Sequence, residues 1–275
     1  MRNSSGLVRA AELGFKTGGL NYDSGRPSYT PATVDTIARL VSDVMTSESD
    51  NSRLKYSVVE LGAGTGKMTQ VLYPKLPVSC PYLACEPSED FLNVLTSKQL
   101  GVETHLGSAA SIPSSDTSVG CVVCAQSFHW FADEQHLKEI RRVLVPGGKL
   151  VIAMNWKQFD HDWMQPIYDQ RQRVYAQTGS SMKYLINSFA WQADLNTSQF
   201  FSLADHVSLP GVEFRGDLDK ILANLTTVSA YNMLTEDERN GYLEELQAVL
   251  KTWPGVDVSD MSVPYSSEIY VYTAV

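Results

Sequence analysis

From residue 56 to residue 156, short apolar runs of the chain alternate with segments of helical periodicity. The apolar runs predict strands at 56–61, 81–86, 102–106, 118–125 and 149–156, and the segments between them predict helices near 67–76, 88–98 and 133–143. Runs such as VVEL, CVVC and LVIAM do not alternate between apolar and polar residues, so both faces of each strand are expected to be covered. This pattern predicts an α/β fold with a parallel sheet.

Different patterns flank the alternating region. The chain up to Tyr29 is rich in glycine and serine and predicts irregular structure, whereas Pro31 begins a helical pattern that continues to Val44. The later part of the chain predicts, in order, a helix near 160–177, an aromatic-rich stretch to Phe201, a strand near 203–214, helices near 216–231 and 235–251, and a closing strand at 268–275. We therefore expect a second unit, inserted between strands as a cap over the sheet.

The composition narrows the class of protein. Hydrophobic residues make up 43% of the 275 residues, which is enough to bury a core. The 22 Lys and Arg residues are outnumbered by 31 Asp and Glu residues, giving a formal net charge of -9, so no nucleic-acid partner is expected. No apolar run approaches the roughly 18 residues of a membrane span, and no signal peptide is evident, so we expect a cytoplasmic protein without a membrane partner.

Four cysteines occur, at Cys80, Cys85, Cys121 and Cys124. Their spacing suggests a zinc site, but Cys121 and Cys124 lie in one predicted strand, where residues three apart point to opposite faces. The cysteines are therefore predicted to be core residues, and no metal is expected.

The strongest local motif is ELGAGTG at 60–66, in which a predicted strand runs directly into three alternate glycines. Glycines allow a tight turn and a close approach of the backbone to a ligand. A Walker A loop would require glycine at position 61 and Ser or Thr after the lysine, whereas the chain has Leu61 and Lys67-Met68. A dinucleotide fingerprint counted from Gly62 would place its third glycine at position 67, so a nicotinamide-dependent oxidoreductase is the second hypothesis.

The pattern E-x-G-x-G-x-G at 60–66 resembles the first motif of class I S-adenosylmethionine-dependent methyltransferases. The resemblance implies a Rossmann-like sheet of seven strands, mostly parallel with the last strand antiparallel, and a helical cap inserted after strand five. It implies S-adenosyl-L-methionine as the cofactor, with Glu60 near its ammonium group. Glu86, 24 residues after Gly62, is similar to the acidic residue that accepts hydrogen bonds from both ribose hydroxyls.

Four further segments extend the resemblance. Gly107-Ser108-Ala109 with Ile112-Pro113 is similar to the adenine segment, although Ser108 stands where the family commonly has an acid. The stretches at 122–131 and 141–148 and the pattern Y-x-x-G-R-P-x-Y at 22–29 resemble a small-molecule subgroup that includes trans-aconitate methyltransferase-like proteins. The implied cofactor-binding residues are Tyr22, Arg26, Glu60, Gly62, Ala63, Gly64, Gly66, Glu86, Pro87, Ser108, Ala109, Gln126 and Ser127.

In this family the N-terminal segment folds over the cofactor. The expected organisation is a segment closing over the site at 1–30, a cofactor-binding core at 31–156, a cap insertion at 157–201, and a C-terminal part of the core with additional helices at 202–275. The Arg26 side chain is expected to face a carboxylate of the cofactor or of the substrate.

Methyl transfer from a sulfonium is an in-line displacement, so the protein has mainly to align the acceptor and exclude water. His129 follows the fourth predicted strand and is the predicted catalytic base, because the histidine pKa ordinarily lies near neutral pH. A packing role for His129 stays open, and a carboxylate acceptor would need no base. The predicted substrate contacts are Tyr29, Trp130, Asn155, Trp156, Trp163, Trp191 and Tyr231, with core packing as the alternative for the cap aromatics.

The first functional hypothesis is thus transfer of a methyl group from S-adenosyl-L-methionine to an oxygen or nitrogen of a small molecule, by a monomer or homodimer. The alternatives are a nicotinamide-dependent oxidoreductase and a non-catalytic cofactor-binding protein with a methyltransferase fold.

Overall fold

The computed structural model describes residues 19–47, 54–78, 80–158, 161–178 and 190–275. Its strands are β1 Tyr56–Leu61, β2 Tyr82–Glu86, β3 Glu103–Leu106, β4 Val119–Ala125, β5 Leu144–Lys157, β6 Phe201–Gly216 and β7 Met261–Ala274. They form one sheet in the order β3-β2-β1-β4-β5-β7-β6. Strands β1 to β5 pair in parallel, whereas β7 runs antiparallel to both β5 and β6. The predicted fold class is confirmed.

The α-helices of the described part are α1 Gly19–Gly25, α2 Pro31–Ser47, α3 Thr69–Leu72, α4 Glu89–Ser97, α5 Glu134–Val143, α6 Met164–Gln177, α7 Ala190–Asn196, α8 Leu218–Leu225 and α9 Glu236–Thr252. Several begin at side-chain caps. Ser88 caps α4, Asp133 caps α5, and Thr235 with Glu238 forms the capping box of α9 that the sequence spacing predicts. None of these helices is both long and apolar enough to cross a bilayer.

The central strands are buried on both faces, as their continuous apolar runs predict. Val59 packs in the cluster that includes α5, whereas its neighbour Val58 packs in the cluster that includes α2. Cys124 belongs to the first cluster and Cys121 to the second, so the prediction that these cysteines point to opposite faces is confirmed. The two helical layers cover both faces of the sheet, and they leave the carboxyl ends of its strands available for a site.

A third cluster joins α6, α8 and α9 to residues of β6 and β7. Helix α7 packs elsewhere, since Trp191 and Leu195 lie in the sheet core beside residues of β4, β5 and β7. The segment predicted as one cap at 157–201 therefore contributes to two different layers. Its residues 159–160 and 179–189, and residues 1–18 of the predicted N-terminal segment, lie outside the described residues.

The N-terminal stretch contains a helix, α1, where the glycine-rich sequence predicts irregular structure. The correction has a tertiary cause, because contacts to the rest of the chain offset the poor helix propensity of this segment. The Gly19 N–H donates to Asp90 Oδ2 at 2.8 Å, and Asp23 Oδ1 accepts from the Thr65 hydroxyl at 2.6 Å.

Several elements also differ in length from the sequence pattern. Strand β7 begins at Met261 rather than at 268, because pairing with β6 extends it through Pro264 and the serines around it. Pro264 lies where only β6 pairs with β7, a position that tolerates a missing N–H donor. The helix predicted near 67–76 is split into α3 and a 3-10 turn at Tyr73–Lys75, and the helix predicted near 216–231 ends at Leu225.

Candidate functional site

A cavity of ≈ 670 Å³ opens at the carboxyl ends of β1, β2, β4 and β5, beneath α1 and the segment that follows it. Ligands of open α/β sheets bind at this edge, where the strand order reverses. The predicted residues that line the cavity are Tyr22, Arg26, Tyr29, Glu60, Gly62, Ala63, Gly64, Glu86, Pro87, Ser108, Ala109, Gln126, Ser127, Trp130 and Asn155. The fold thus gathers residues far apart in sequence around one space.

The glycine loop after β1 requires glycines for conformational reasons. Gly62, Gly64 and Gly66 have φ values of +66°, +61° and +82°, a region that other residues rarely adopt. A Cβ on Gly64 would meet nothing closer than a Phe91 ring carbon at 4.0 Å, so the backbone of Gly64 borders open space. A ligand in the cavity can therefore approach this backbone closely.

Gly66 differs from the other two glycines in what it faces. It does not line the cavity, and a Cβ there would lie 2.3 Å from Leu95 Cδ1 on α4. This glycine permits close packing of α4 against the loop, and its role in cofactor binding stays a prediction.

Glu86, at the end of β2, is fixed by the glycine loop. Its Oε2 accepts the Gly64 N–H at 2.8 Å, and its Oε1 accepts the Ser88 N–H at 2.9 Å. A carboxylate oxygen can accept more than one hydrogen bond, so both oxygens keep capacity for donors in the cavity. Burial raises the pKa of Glu86 to about 7. This geometry suits a ligand that presents two hydroxyl donors.

Glu60, on β1, provides a second carboxylate at the cavity wall. Its Oε2 accepts hydrogen bonds from the Thr69 and Tyr82 hydroxyls, both at 2.6 Å. Burial raises its pKa to about 7, against the lowering effect of these two bonds. The bonds fix the carboxylate through Oε2, which leaves Oε1 for a cationic or hydrogen-bond-donating group of a ligand.

The segment over the cavity is tied to three parts of the chain. Asp23 on α1 accepts from Thr65 of the glycine loop and from Lys98 Nζ, the latter at 2.9 Å. At the other end, Arg26 Nη2 donates to the Thr227 carbonyl at 2.8 Å. The Tyr22 ring packs against that of Phe91 with centroids 5.1 Å apart. These contacts tie the segment to the glycine loop, to α4 and to the loop after α8.

The end of β4 supplies the opposite wall. Gln126 has a left-handed backbone, with φ of +59°, and its Nε2 donates to the Asn155 carbonyl at 2.9 Å. The Ser127 hydroxyl donates to the Leu61 carbonyl at 2.6 Å, which joins this turn to β1. The wall is therefore preorganised by bonds within the protein.

His129 does not line the cavity, although the sequence predicts it as the base. Phe128–Trp130 is a 3-10 turn, in which successive side chains point about 120° apart, so Trp130 faces the cavity and His129 does not. Burial and the charge of Arg26 lower the pKa of His129 to about 3. His129 thus lies off the cavity wall in the described structure, and its role as the base stays a prediction.

Four of the predicted substrate contacts also lie away from the cavity. Trp156 follows Asn155 on β5 and points to the opposite face, and Trp191 packs on Phe128 and Tyr270, with centroids at 5.9 Å and 5.1 Å. Trp163 and Tyr231 belong to the third cluster, beneath α9. Each ring packs in or against a core cluster, as the core-packing alternative expects, and the predicted substrate contacts stay predictions.

Other residues line the cavity without having been predicted. They include Lys67, Met68, Phe91, Phe131, His136 and Tyr265. His136 Nδ1 lies 2.7 Å from Asp133 Oδ1, the cap of α5, so the helix start fixes the imidazole ring. Tyr265 comes from the part of β7 that the sequence pattern does not predict as strand. The sequence does contain a local signal for Phe91, because this residue lies in the first turn of α4, directly after the Ser88 cap that follows Glu86.

Comparisons with known proteins agree with this geometry. Residues 59–152 match a model of a methyltransferase domain. The chain is 30% identical over 262 residues to an uncharacterized methyltransferase of Schizosaccharomyces pombe, covering 92% of this chain and 96% of that protein. It is 31% identical over 248 residues to an uncharacterized methyltransferase-like protein of the same yeast, covering 90% and 89%. The structure of a putative type II methyltransferase from Anaeromyxobacter dehalogenans shares the fold, with a TM-score of 0.62 and 19% identity over 90% of this chain and 97% of that one.

Proposed function

The chain belongs to the class I S-adenosylmethionine-dependent methyltransferases, and from this premise we propose that it binds S-adenosyl-L-methionine and methylates an oxygen or nitrogen of a small molecule. The observation that carries the proposal is the Glu86 carboxylate, fixed by the Gly64 N–H on the wall of a cavity of ≈ 670 Å³. The resemblance of 22–29, 122–131 and 141–148 to trans-aconitate methyltransferase-like proteins supports a small-molecule acceptor.

The cavity fits this cofactor in three respects. The open space beside Gly64 admits a ligand against the loop backbone. Glu86 would accept bonds from the two ribose hydroxyls, and Glu60 would face the ammonium group. The Ser108 hydroxyl and backbone groups near Ala109 would contact the adenine.

When bound, S-adenosyl-L-methionine would supply an activated methyl group on a sulfonium. The protein's own task is then to align and to exclude water, since the displacement is in line and disperses charge. Trp130 and Tyr29 wall the cavity, and the bonded segment from Tyr22 to Arg26 covers it. His129, with its pKa near 3 and its position off the wall, favours an acceptor that is already deprotonated or that loses its proton to another group.

Isothermal calorimetry with S-adenosylhomocysteine tests the cofactor. We expect one binding site per chain, and we expect S-adenosyl-L-methionine to be turned over with at least one member of a panel of small acids and amines. Reduced nicotinamide should give no heat. Binding of nicotinamide without S-adenosylhomocysteine binding would contradict the proposal. Cofactor binding without methylation of any acceptor would contradict the proposed activity and support the alternative of a non-catalytic cofactor-binding protein.

Cofactor affinity should depend on pH. The Glu86 pKa of about 7 in the free protein must fall when hydroxyl donors bind its ionised form, so binding releases a proton below pH 7. We expect S-adenosylhomocysteine affinity to drop about tenfold between pH 8 and pH 6. Calorimetry in buffers of different ionisation enthalpy measures both quantities.

The stability of the cofactor-free protein should change in the opposite direction. The folded-state pKa values of Glu60 and Glu86, both about 7, lie above that of an unfolded carboxyl. Their contribution to stability is therefore complete below about pH 4.5 and is lost as the pH rises through 7.

For the affinity prediction, the contradicting result is a cofactor affinity that is equal at pH 6 and pH 8. That result would exclude the role assigned to Glu86.

A further inference from the structure

At the end of β5, Lys157 lies opposite Tyr265 of the cavity wall, and Arg26 lines the cavity itself. We infer, on the basis of the proposed function, that Lys157 and Arg26 form an anion subsite beside the cavity and that the acceptor carries a carboxylate or phosphate group held there. The inference concerns the same site and adds Lys157, which is not among the residues predicted to bind the cofactor.

Lys157 ends β5 next to the cavity wall. Asn155, which lines the cavity, lies two residues earlier on the same face of the strand, and Tyr265, which also lines it, is directly opposite Lys157 on β7. The Lys157 side chain thus rises from the sheet beside two wall residues. It is partly buried.

The charges around Lys157 have the same sign as its own. Among the described residues, the charges that act on its ammonium group are the guanidinium groups of Arg171 on α6 and Arg26 on the covering segment. Burial and these two charges hold the pKa of Lys157 well below its usual range. No acidic side chain of the described part forms an ion pair with Lys157 or Arg26.

The neutral polar groups of this region are satisfied, whereas the Arg26 guanidinium, which lies over the Tyr22 ring at 5.1 Å from its centroid, is only partly hydrogen-bonded. The Tyr265 hydroxyl bonds to Asn224 Oδ1 at 3.1 Å, and the Asn155 amide donates to the Ser28 carbonyl at 3.1 Å and accepts from the Ser267 hydroxyl at 2.8 Å. Arg26 Nε is buried and has no hydrogen-bond partner among the described residues. Its guanidinium therefore keeps a free donor, although Nη2 is bonded to the Thr227 carbonyl.

Such an arrangement is costly unless a ligand completes it. Buried cations are normally paired, and a buried donor without an acceptor lowers stability. An anion between Lys157 and Arg26 would neutralise the repulsion and accept the free donors. Arg171, which lies over the Tyr168 ring at 5.2 Å from its centroid, would add to the positive potential from α6. A neutral acceptor would leave the repulsion uncompensated.

The test measures ligand binding to the full chain saturated with S-adenosylhomocysteine. The probes are glutarate and glycerol 3-phosphate, each compared with its neutral counterpart, glutaramide and glycerol, and calorimetry gives the dissociation constants. We expect at least one anion to bind tenfold or more tightly than its neutral counterpart. Whether glutarate or glycerol 3-phosphate does so shows whether the subsite prefers a carboxylate or a phosphate. Binding of both neutral probes as tightly as the anions, or of no probe at all, would overturn the inference.

Variants then assign the subsite. Lys157→Met should remove at least tenfold of the anion preference and leave S-adenosylhomocysteine affinity unchanged, whereas Lys157→Arg should keep the preference. Lys149→Met is the matched control, since Lys149 lies on the same face of β5 and donates to Thr273 Oγ1 at 2.7 Å, away from the cavity. The control should change neither affinity.

Thermal stability separates a ligand-binding role from a structural one. Lys157→Met should raise the melting temperature of the ligand-free protein, because it removes a partly buried ammonium group on which two like charges act. A lower melting temperature together with an unchanged anion preference would show a structural role and overturn the inference. If S-adenosylhomocysteine fails to bind the wild-type chain, the proposed function itself fails, a result distinct from loss of anion preference alone.

Discussion

Replacing Gly64 by arginine is expected to abolish S-adenosylhomocysteine binding while the protein remains folded. Gly64 has a φ of +61°, and a side chain there would enter the cavity, since a Cβ at this position would have no neighbour closer than a Phe91 carbon at 4.0 Å. The long arginine side chain would occupy the space that the cofactor needs. We expect at least about a 100-fold loss of affinity, measured by calorimetry.

The control must separate backbone strain from blockage of the cavity. Gly147 in β5 has a φ of +77° with no neighbouring atom within 4 Å, and it does not line the cavity. Gly147→Arg therefore introduces a comparable left-handed strain at an open position. It should leave affinity within about twofold of wild type. Equal losses in both variants, or an unchanged affinity in Gly64→Arg, would contradict the role assigned to the glycine loop.

The sheet could be predicted from the sequence because its signal is local and repeated. Val58 and Val59 are adjacent yet both buried, on opposite faces, which only a strand covered on both sides permits. The cavity wall at the ends of β1, β2 and β4 could be predicted for a related reason. Parallel strands bring the residues that follow β1, β2 and β4 to one edge, so Gly64, Glu86 and Gln126 meet whatever the details of packing.

The side chains around the rest of the cavity could not be predicted in the same way, because their positions depend on side-chain direction and strand register. His129 and Trp130 are neighbours, and the 3-10 turn alone decides which of them faces the cavity. Lys157 and Tyr265 become neighbours only through the antiparallel pairing of β5 and β7, for which the sequence has no register signal. Trp191 is a residue type that often contacts substrates, but here it packs in the hydrophobic core.

Glu86→Gln is expected to weaken S-adenosylhomocysteine binding by about 3 kcal/mol, or roughly 100-fold. Each Glu86 oxygen now accepts a backbone N–H, from Gly64 at 2.8 Å and from Ser88 at 2.9 Å. An amide replaces one of these oxygen acceptors by an NH₂ donor, which cannot accept the backbone N–H that faces it. It also removes the negative charge that would attract the ribose hydroxyls. Glu103→Gln is the control, because Glu103 accepts a bond from the Tyr56 hydroxyl outside the cavity.

The affinity difference between wild type and Glu86→Gln should depend on pH. Because burial raises the pKa of Glu86 to about 7, the wild-type carboxyl is mostly protonated at pH 6 and mostly ionised at pH 8. The affinity gap between wild type and Glu86→Gln should therefore be largest at pH 8 and about tenfold smaller at pH 6. A gap of the same size at both pH values would mean that the variant acts by distorting the Gly64 loop, and that the charge of Glu86 does not hold the ribose.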